Sequence, residues 1–195
     1  MARRTQISGM YQSERSSLFR VKAKLEQCGI QVIHPLSDGF IFTKKSAAPT
    51  VVSALWTPYE TNLDYFQAIA LDDFYTVSND DGFISDSMAR GILYAILLGK
   101  PVVFLHKPQF ESGVQGRMQQ LIGRQLPKMH VTDLLALTGV ELEQTLTSLG
   151  MPVDYQLTPG EVHAIQREVR SYFRSLLPKR ATIAISRPLR VTATA

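Results

Sequence analysis

Two short apolar runs that enclose one amphipathic helix constrain this fold more than any other feature of the sequence. Phe74–Val77 and Pro101–Leu105 are nearly continuous in apolar residues, as is typical of strands covered on both faces of a parallel sheet. Between them apolar residues recur at helical spacing, at Met88, Ile92, Ala95 and Ile96. Gly99 ends that helix just before the second strand. Such a strand–helix–strand unit requires a right-handed crossover and helices packed on the sheet.

The first third of the chain shows the same alternation of strand and helix. Residues 5–8 and 30–34 predict two more strands, joined by a helix with apolar positions Leu18, Val21, Leu25 and Cys28. Residues 36–58 contain glycine, prolines and lysines and are interpreted as an excursion from the core. A second helix follows, with Leu63, Phe66 and Ala70 on one face. We therefore predict an α/β fold with a doubly wound parallel sheet, of the Rossmann or flavodoxin-like kind, over residues 1–107.

The remainder of the chain is predicted to be helical. Residues 108–178 form a helical extension that completes the domain, and residues 179–195 form a basic tail without helical periodicity. The clearest signal is Thr158-Pro159-Gly160-Glu161, in which threonine caps a helix, proline takes its first position and glutamate closes a capping box. This predicts that the last helix begins at residue 159.

The distribution of charge and cysteine limits the partners of the protein. The net charge is +4, but the basic residues concentrate from Arg167 onward, which leaves −2 for the first 166 residues. A groove that follows phosphates would need cations in the body of the fold, so nucleic acid is not an expected partner. No apolar run is long enough to span a membrane and no signal peptide is present, so we expect a cytoplasmic protein. The single cysteine, Cys28, excludes an internal disulfide and is expected to be buried.

Polar residues follow the first predicted strand. Gly9 would let a ligand approach the backbone, while Ser13 and Arg15 stand where the next helix begins. Free amides and hydroxyls at a helix N-terminus suit an anion such as a phosphate. In the alternative interpretation Ser13 is only a helix cap and Arg15 is solvated. The segment has no nucleotide-binding glycine pattern that would decide between the two.

An acidic run surrounds the third strand. Asp73 precedes it, and Asn79-Asp80-Asp81-Gly82 follows it. These side chains suit hydrogen bonds to sugar hydroxyls or to a base edge, although the same residues are also good turn formers. The calcium-loop spacing is absent and the four histidines show no paired spacing, so we expect neither a metal nor a cofactor. Asp86 or Ser87 is expected to cap the helix that follows.

Several segments of residues 5–106 share their order with one known group of proteins. They are Ile7–Tyr11, Leu25–Pro35, Asp72–Asn79, Gly82–Ser87, Ile92–Ala95 and Gly99–Val102. Together they resemble the nucleoside 2-deoxyribosyltransferase-like superfamily, which includes nucleotide N-glycosidases and SLOG-type nucleotide-sensing domains. The resemblance implies a nucleoside or nucleotide ligand. It also implies a homo-oligomer, because members of this group commonly self-associate.

The resemblance also implies roles for individual residues. Gly9 and Tyr11 would form the substrate floor, Asp73 would be the carboxylate near sugar and base, and Asn79 and Ser87 would contact the ribose or its 5′ substituent. The full set of predicted ligand-binding residues is Gly9, Tyr11, Ser13, Arg15, Asp73, Asn79, Gly82 and Ser87. In the enzymes of the family a glutamate of the crossover helix attacks the anomeric carbon and forms a glycosyl-enzyme.

This sequence departs from the family at the nucleophile. Alignment of Ile92–Ala95 with the family motif places Gly91 where the glutamate would stand, which makes the chain a divergent member without that glutamate. Two functions remain open. The first is a protein that binds a nucleotide or nucleoside derivative without cleaving it. The second is an N-glycosidic-bond enzyme, either a 2-deoxyribosyltransferase or an N-hydrolase. It would use Asp73 together with a relocated carboxylate, either Asp86 or one of the loop residues Asp80 and Asp81.

Overall fold

The computed structural model describes residues 3–9, 17–33 and 58–176, and it leaves out the side chains of residues 58–64 and 176. Tyr11, Ser13, Arg15, most of the predicted excursion and the basic tail lie outside the described residues. The described elements in chain order are β1 (Arg4–Gly9), α1 (Ser17–Gln27), β2 (Gln31–Ile33), α2 (Pro58–Leu71), β3 (Phe74–Ser78), β4 (Phe83–Ile84), α3 (Asp86–Leu97), β5 (Val102–Phe104), β6 (Gln109–Phe110), α4 (Gly116–Gln125), β7 (His130–Val131), α5 (Gly139–Ser148) and α6 (Pro159–Leu176).

The main sheet is parallel throughout and confirms the predicted doubly wound α/β class. Its five strands lie in the order β2-β1-β3-β5-β7, and β1 pairs with β2 on one side and with β3 on the other. The order of the strands reverses between β1 and β3. In open α/β sheets this switch point leaves a crevice at the carboxyl ends of the strands, where ligands bind. The carboxyl edge at Gly9 and Ser78 is therefore the candidate ligand site.

Helices cover both faces of the sheet, and alternate residues of each strand serve the two faces. Ile7 and Phe74 join a core with residues of α1 and α5. Tyr75 and Val77 join a second core with residues of α2, α3, α4 and α6. Because both faces are covered, the inner strands carry almost no exposed surface, which explains the continuous apolar runs in the sequence.

The C-terminal half contributes more than helices. The two-residue strand β7 pairs with β5 and is the fifth strand of the main sheet, which corrects the purely helical interpretation of residues 108–178. A second short sheet pairs β4 with β6 in parallel. The predicted capping box is confirmed, because Thr158 N–H donates to Glu161 Oε2 at 2.7 Å and Glu161 N–H donates to Thr158 Oγ1 at 3.3 Å.

Two local expectations from the sequence are wrong. The cap of α3 is Ser85, whose hydroxyl accepts from the Met88 amide at 3.3 Å, so neither Asp86 nor Ser87 has that role. Cys28 is exposed because α1 ends at Gln27 and the chain turns there before β2. Among the described residues, no helix is long and apolar enough to cross a membrane.

Candidate functional site

The switch point is formed by the carboxyl ends of β1 and β3, which lie close together. Gly9 and Ser78 are register partners in the β1–β3 ladder. A Cβ atom added to Gly9 would lie 2.9 Å from the Ser78 carbonyl oxygen and 2.8 Å from Leu18 Cδ1. The close packing of β1 against β3 and α1 therefore requires glycine at this position.

Three polar side chains meet beside Gly9. Ser17, the first residue of α1, shares a hydrogen bond of 2.6 Å with the hydroxyl of Ser78. Asp80, in the 3₁₀ turn after β3, accepts a hydrogen bond from the Ser17 hydroxyl. Asp80 Oδ2 also accepts from the Ser17 backbone N–H at 3.2 Å. We call Ser17, Ser78 and Asp80 the switch-point triad.

The position of Asp80 changes the expected electrostatics of the site. The carboxylate lies at the N-terminus of α1, where unpaired amides and the helix dipole favour negative charge. One of the two interpretations that the sequence left open was an anion of the ligand at this end of the helix. A carboxylate of the protein meets the first amide of α1, so a second anion beside it would be repelled. The triad instead brings together a carboxylate and two hydroxyl groups, of which that of Ser78 is buried.

Asn79 and Gly82 hold together the loops that follow β3 and β5. The buried Asn79 side chain donates to the His106 carbonyl at 2.7 Å and accepts from the His106 N–H at 3.0 Å. Gly82 has a φ of 83°, and a Cβ atom there would lie 2.5 Å from the Lys107 carbonyl oxygen. The structure thus gives both residues a structural role, and their contact with a ligand remains a prediction.

Asp86 and Arg90 connect α3 to α6. Asp86 forms an ion pair with Arg90, whose Nε donates to Glu168 at 3.1 Å. The Arg90 guanidinium lies over the Tyr172 ring at 4.6 Å from its centroid. Asp86 is therefore paired with an arginine that also binds α6. Ser87 is exposed, with its hydroxyl 3.2 Å from that of Ser85, and its predicted ligand contact is untested.

Two tyrosine hydroxyls fill the space in front of Gly91. The glycine is fully buried in α3, and an added Cβ would overlap the Tyr75 hydroxyl and lie 2.9 Å from the Tyr65 hydroxyl. These two hydroxyls share a hydrogen bond. Burial raises the pKa of Tyr65 to about 12, against the opposing effect of hydrogen bonds with Ser8 and Tyr75. The space beside the position that the resemblance assigns to a glutamate is thus filled by two phenol side chains.

Asp73 lies at the opposite edge of the sheet from the triad. It immediately precedes β3, is exposed, and accepts from the Arg4 N–H at 2.7 Å. Ser78 lies five positions further along the strand, or about 16 Å away. The expectation that Asp73 lies near the sugar beside Asn79 remains a prediction, and the distance between the two ends of the strand disfavours it for a nucleoside-sized pocket.

The functional features that sequence reasoning missed are contacts between distant segments. Ser17 and Ser78 are 61 residues apart, and Tyr65 and Tyr75 come from α2 and β3. The one usable signal was Ser78, a polar residue at the end of an apolar strand. Asp80 was considered as one carboxylate of the acidic run around β3, and its contact with Ser17 was not predicted. Within the described residues, no cluster of three histidine, cysteine or carboxylate side chains is placed to hold a metal ion.

Comparison with protein-family models gives no match, and comparison with curated proteins gives none either. Among solved structures, a 2-deoxyribosyltransferase from the psychrotolerant bacterium Bacillus psychrosaccharolyticus is 14% identical with a TM-score of 0.40, over 71% of this chain and 95% of that one. A conserved protein from Enterococcus faecalis V583 is 16% identical with a TM-score of 0.34, over 88% and 99% of the respective chains. Likenesses at this level carry no argument about function, and the fold class rests on the strand order described above.

Proposed function

We propose that this chain binds a nucleoside or a nucleotide derivative at the β1–β3 switch point and does not cleave its N-glycosidic bond. The observation that carries the proposal is the switch-point triad. It places one carboxylate and two hydroxyls at the carboxyl edge of the sheet, where this class of fold holds its ligands. A few convergent polar groups in such a crevice are what fixes the orientation of a small molecule.

The chemistry of the triad favours the sugar as the part of the ligand that lies there. A carboxylate accepts hydrogen bonds from hydroxyl groups, and the serine hydroxyls both donate and accept. Because Asp80 already places negative charge at the N-terminus of α1, a phosphate at the same point would be repelled. The neutral sugar ring therefore lies against Asp80, and any phosphate group of the ligand lies away from it.

Two observations support binding without cleavage. Position 91 carries no side chain, and the hydroxyls of Tyr65 and Tyr75 fill the adjacent space. Asp86, the relocated carboxylate that the sequence offered, forms an ion pair with Arg90 on the side of α6. A nucleophile must reach the anomeric carbon, and neither position provides a carboxylate aimed at the switch point.

The test combines binding and turnover on the same samples. The full chain is titrated by calorimetry with ribonucleosides, deoxyribonucleosides and their monophosphates, and each mixture is then analysed chromatographically for free base. We expect one class to bind with no base released. Asp80→Asn should weaken that binding by about tenfold or more, since a hydrogen bond to a charged acceptor is lost. Asp154→Asn is the matched control, because its carboxylate lies in an exposed turn and accepts only the Gln156 amide.

Two outcomes would overturn the proposal. If no member of the panel binds, or if Asp80→Asn and Asp154→Asn behave alike, the switch point is not the ligand site. Base release that disappears in Asp80→Asn or Asp86→Asn would instead establish the enzymatic alternative, a 2-deoxyribosyltransferase or N-hydrolase with a relocated carboxylate.

A further inference from the structure

The outer face of α6 carries an open groove that the proposed function does not use. The groove has a volume of about 480 Å³ and is lined by His163, Gln166, Arg167, Arg170, Ser171 and Arg174. Its basic side chains recur every three or four residues, so they lie along one face of the helix. From residue 167 to residue 174 the three arginines extend about 10 Å along the helix axis. We call Arg167, Arg170 and Arg174 the arginine stripe.

The charges of the arginine stripe are not neutralised by the described part of the protein. The two acidic residues of α6 are engaged elsewhere, Glu161 with Arg124 and Glu168 with Arg90. Among the described residues, no carboxylate forms an ion pair with a member of the stripe. All three arginines are exposed. The face therefore presents a row of three permanent positive charges.

We propose that the arginine stripe binds the phosphodiester backbone of a nucleic acid strand. One strand of a duplex places a phosphate about every 3.4 Å along its axis, so the stripe spans roughly three phosphates. Guanidinium groups offer forked donors that match phosphate oxygens. The charge count of the sequence had argued against nucleic acid because the basic residues lie in the last helix and tail. In the folded protein, three of those basic residues lie side by side on one face of α6.

Other occupants of the groove fit the surface less well. A helix that lies on a membrane needs exposed apolar side chains beside its basic ones. The apolar side of α6 packs into the core through Ala164 and Ile165, and the large exposed hydrophobic residues of the described chain all lie on other elements. The C-terminal tail, residues 177–195, contains four basic residues and no acidic one, so it is not complementary to the arginine stripe.

The test measures how binding depends on salt in the full-length chain. Fluorescence anisotropy follows labelled 20-nucleotide single-stranded DNA, RNA of the same sequence and the DNA duplex between 50 and 200 mM KCl. The test variant combines Arg167→Gln, Arg170→Gln and Arg174→Gln. The matched control combines Arg20→Gln, Lys107→Gln and Arg117→Gln, which removes the same charge from exposed positions outside the groove.

We expect the test variant to bind much more weakly than the native chain. The slope of log affinity against log salt is negative, and it should become shallower by about 2 for single strands and by about 3 for the duplex. Each lost phosphate contact reduces the size of the slope by about 0.7 in single strands and about 0.9 in a duplex. The control variant should change both quantities less. Comparison of the DNA and RNA series shows which nucleic acid the stripe prefers.

Three results would overturn the proposal. Equal losses in the test and control variants would indicate a general effect of net charge. A test variant that binds like the native chain would assign any binding to another part of the protein, such as the basic tail. Stripe-dependent binding that is stronger to polyglutamate or to anionic lipid vesicles than to nucleic acid would assign the surface to a different partner.

Discussion

The two edges of the parallel sheet carry similar residues and use them differently. At the amino edge, Asp73 hydrogen-bonds the first residue of β1, and Asp72 is buried with its Oδ1 3.6 Å from Arg4 Nε. At the carboxyl edge, Asp80 holds the start of α1, and Asn79 bonds the backbone at His106. All four residues come from one run of nine. Only the strand β3 between them decides which edge each one reaches.

This difference shows how the role of a polar residue depends on the element it borders. The amino edge of a parallel sheet does not form the ligand crevice, so its carboxylates are free to serve strand pairing and charge balance. The carboxyl edge combines a reversal of strand order with a helix N-terminus, and Asp80 is placed between the two. The same residue type is therefore structural at one edge and available for recognition at the other.

The largest effect that we expect is the loss of Asn79. Asn79→Ala should lower the free energy of unfolding by about 2–3 kcal/mol, because two hydrogen bonds to the His106 backbone disappear from a buried position. Chemical denaturation measures this change. His106→Ala is the control, because it keeps the backbone groups that Asn79 binds. If both variants lose the same stability, Asn79 does not hold the carboxyl edge together.

A smaller effect of opposite sign is expected at Asp72. Burial raises its pKa to about 7, although the charges of Arg4 and Lys100 oppose the shift. The folded chain thus binds the proton more tightly than the unfolded chain, whose aspartates titrate near pH 3.9. The free energy of unfolding should therefore decrease as pH rises from about 4 to about 7 and then level off.

Asp72→Asn tests this expectation. The variant should be more stable than the native chain at pH 8, by on the order of 1–2 kcal/mol, and the advantage should vanish near pH 4. Denaturation at both pH values measures the difference. An Asp72→Asn protein with the native pH profile would show that Asp72 does not titrate in this window.

The smallest effect is expected at Asp73 itself. Asp73→Ala removes the acceptor for the Arg4 N–H and should cost about 0.5–1 kcal/mol, because the residue is exposed and water can replace it. Asp73→Asn keeps an acceptor and should cost less. Ligand affinity should not change in either variant, as calorimetry would show. A loss of affinity in Asp73→Ala would mean that the amino edge takes part in binding after all.

The sequence was sufficient to predict the layers of the fold. The continuous apolar runs of β3 and β5 and the helical spacing of α3 directly reflect burial on two faces, and the capping box locates the start of α6. The sequence did not reveal β7 or the β4–β6 pair. These strands have only two residues each, which is too short to show a period of two.

The site was predicted less well because its contacts join distant segments. The carboxylate of Asp80 meets Ser17, 63 residues earlier, and no local pattern encodes that contact. Asp73 was assigned to the ligand by resemblance, although the predicted strand begins one residue later, which places Asp73 at the amino edge. The interpretation of Asp80-Asp81-Gly82 as a turn was sound, since these residues form a 3₁₀ turn.

The pair of tyrosines in front of Gly91 also restricts how this chain can change by mutation. A single substitution of Gly91 by glutamate would drive the new side chain into the Tyr75 hydroxyl. Tyr75 would first have to lose that hydroxyl, and the Tyr65 hydroxyl would still lie 2.9 Å from the new Cβ. A carboxylate at this position therefore requires at least two coordinated replacements, of which the first brings no catalytic group. The packing around Gly91 therefore disfavours the gain of a carboxylate at this position of α3 by a single substitution.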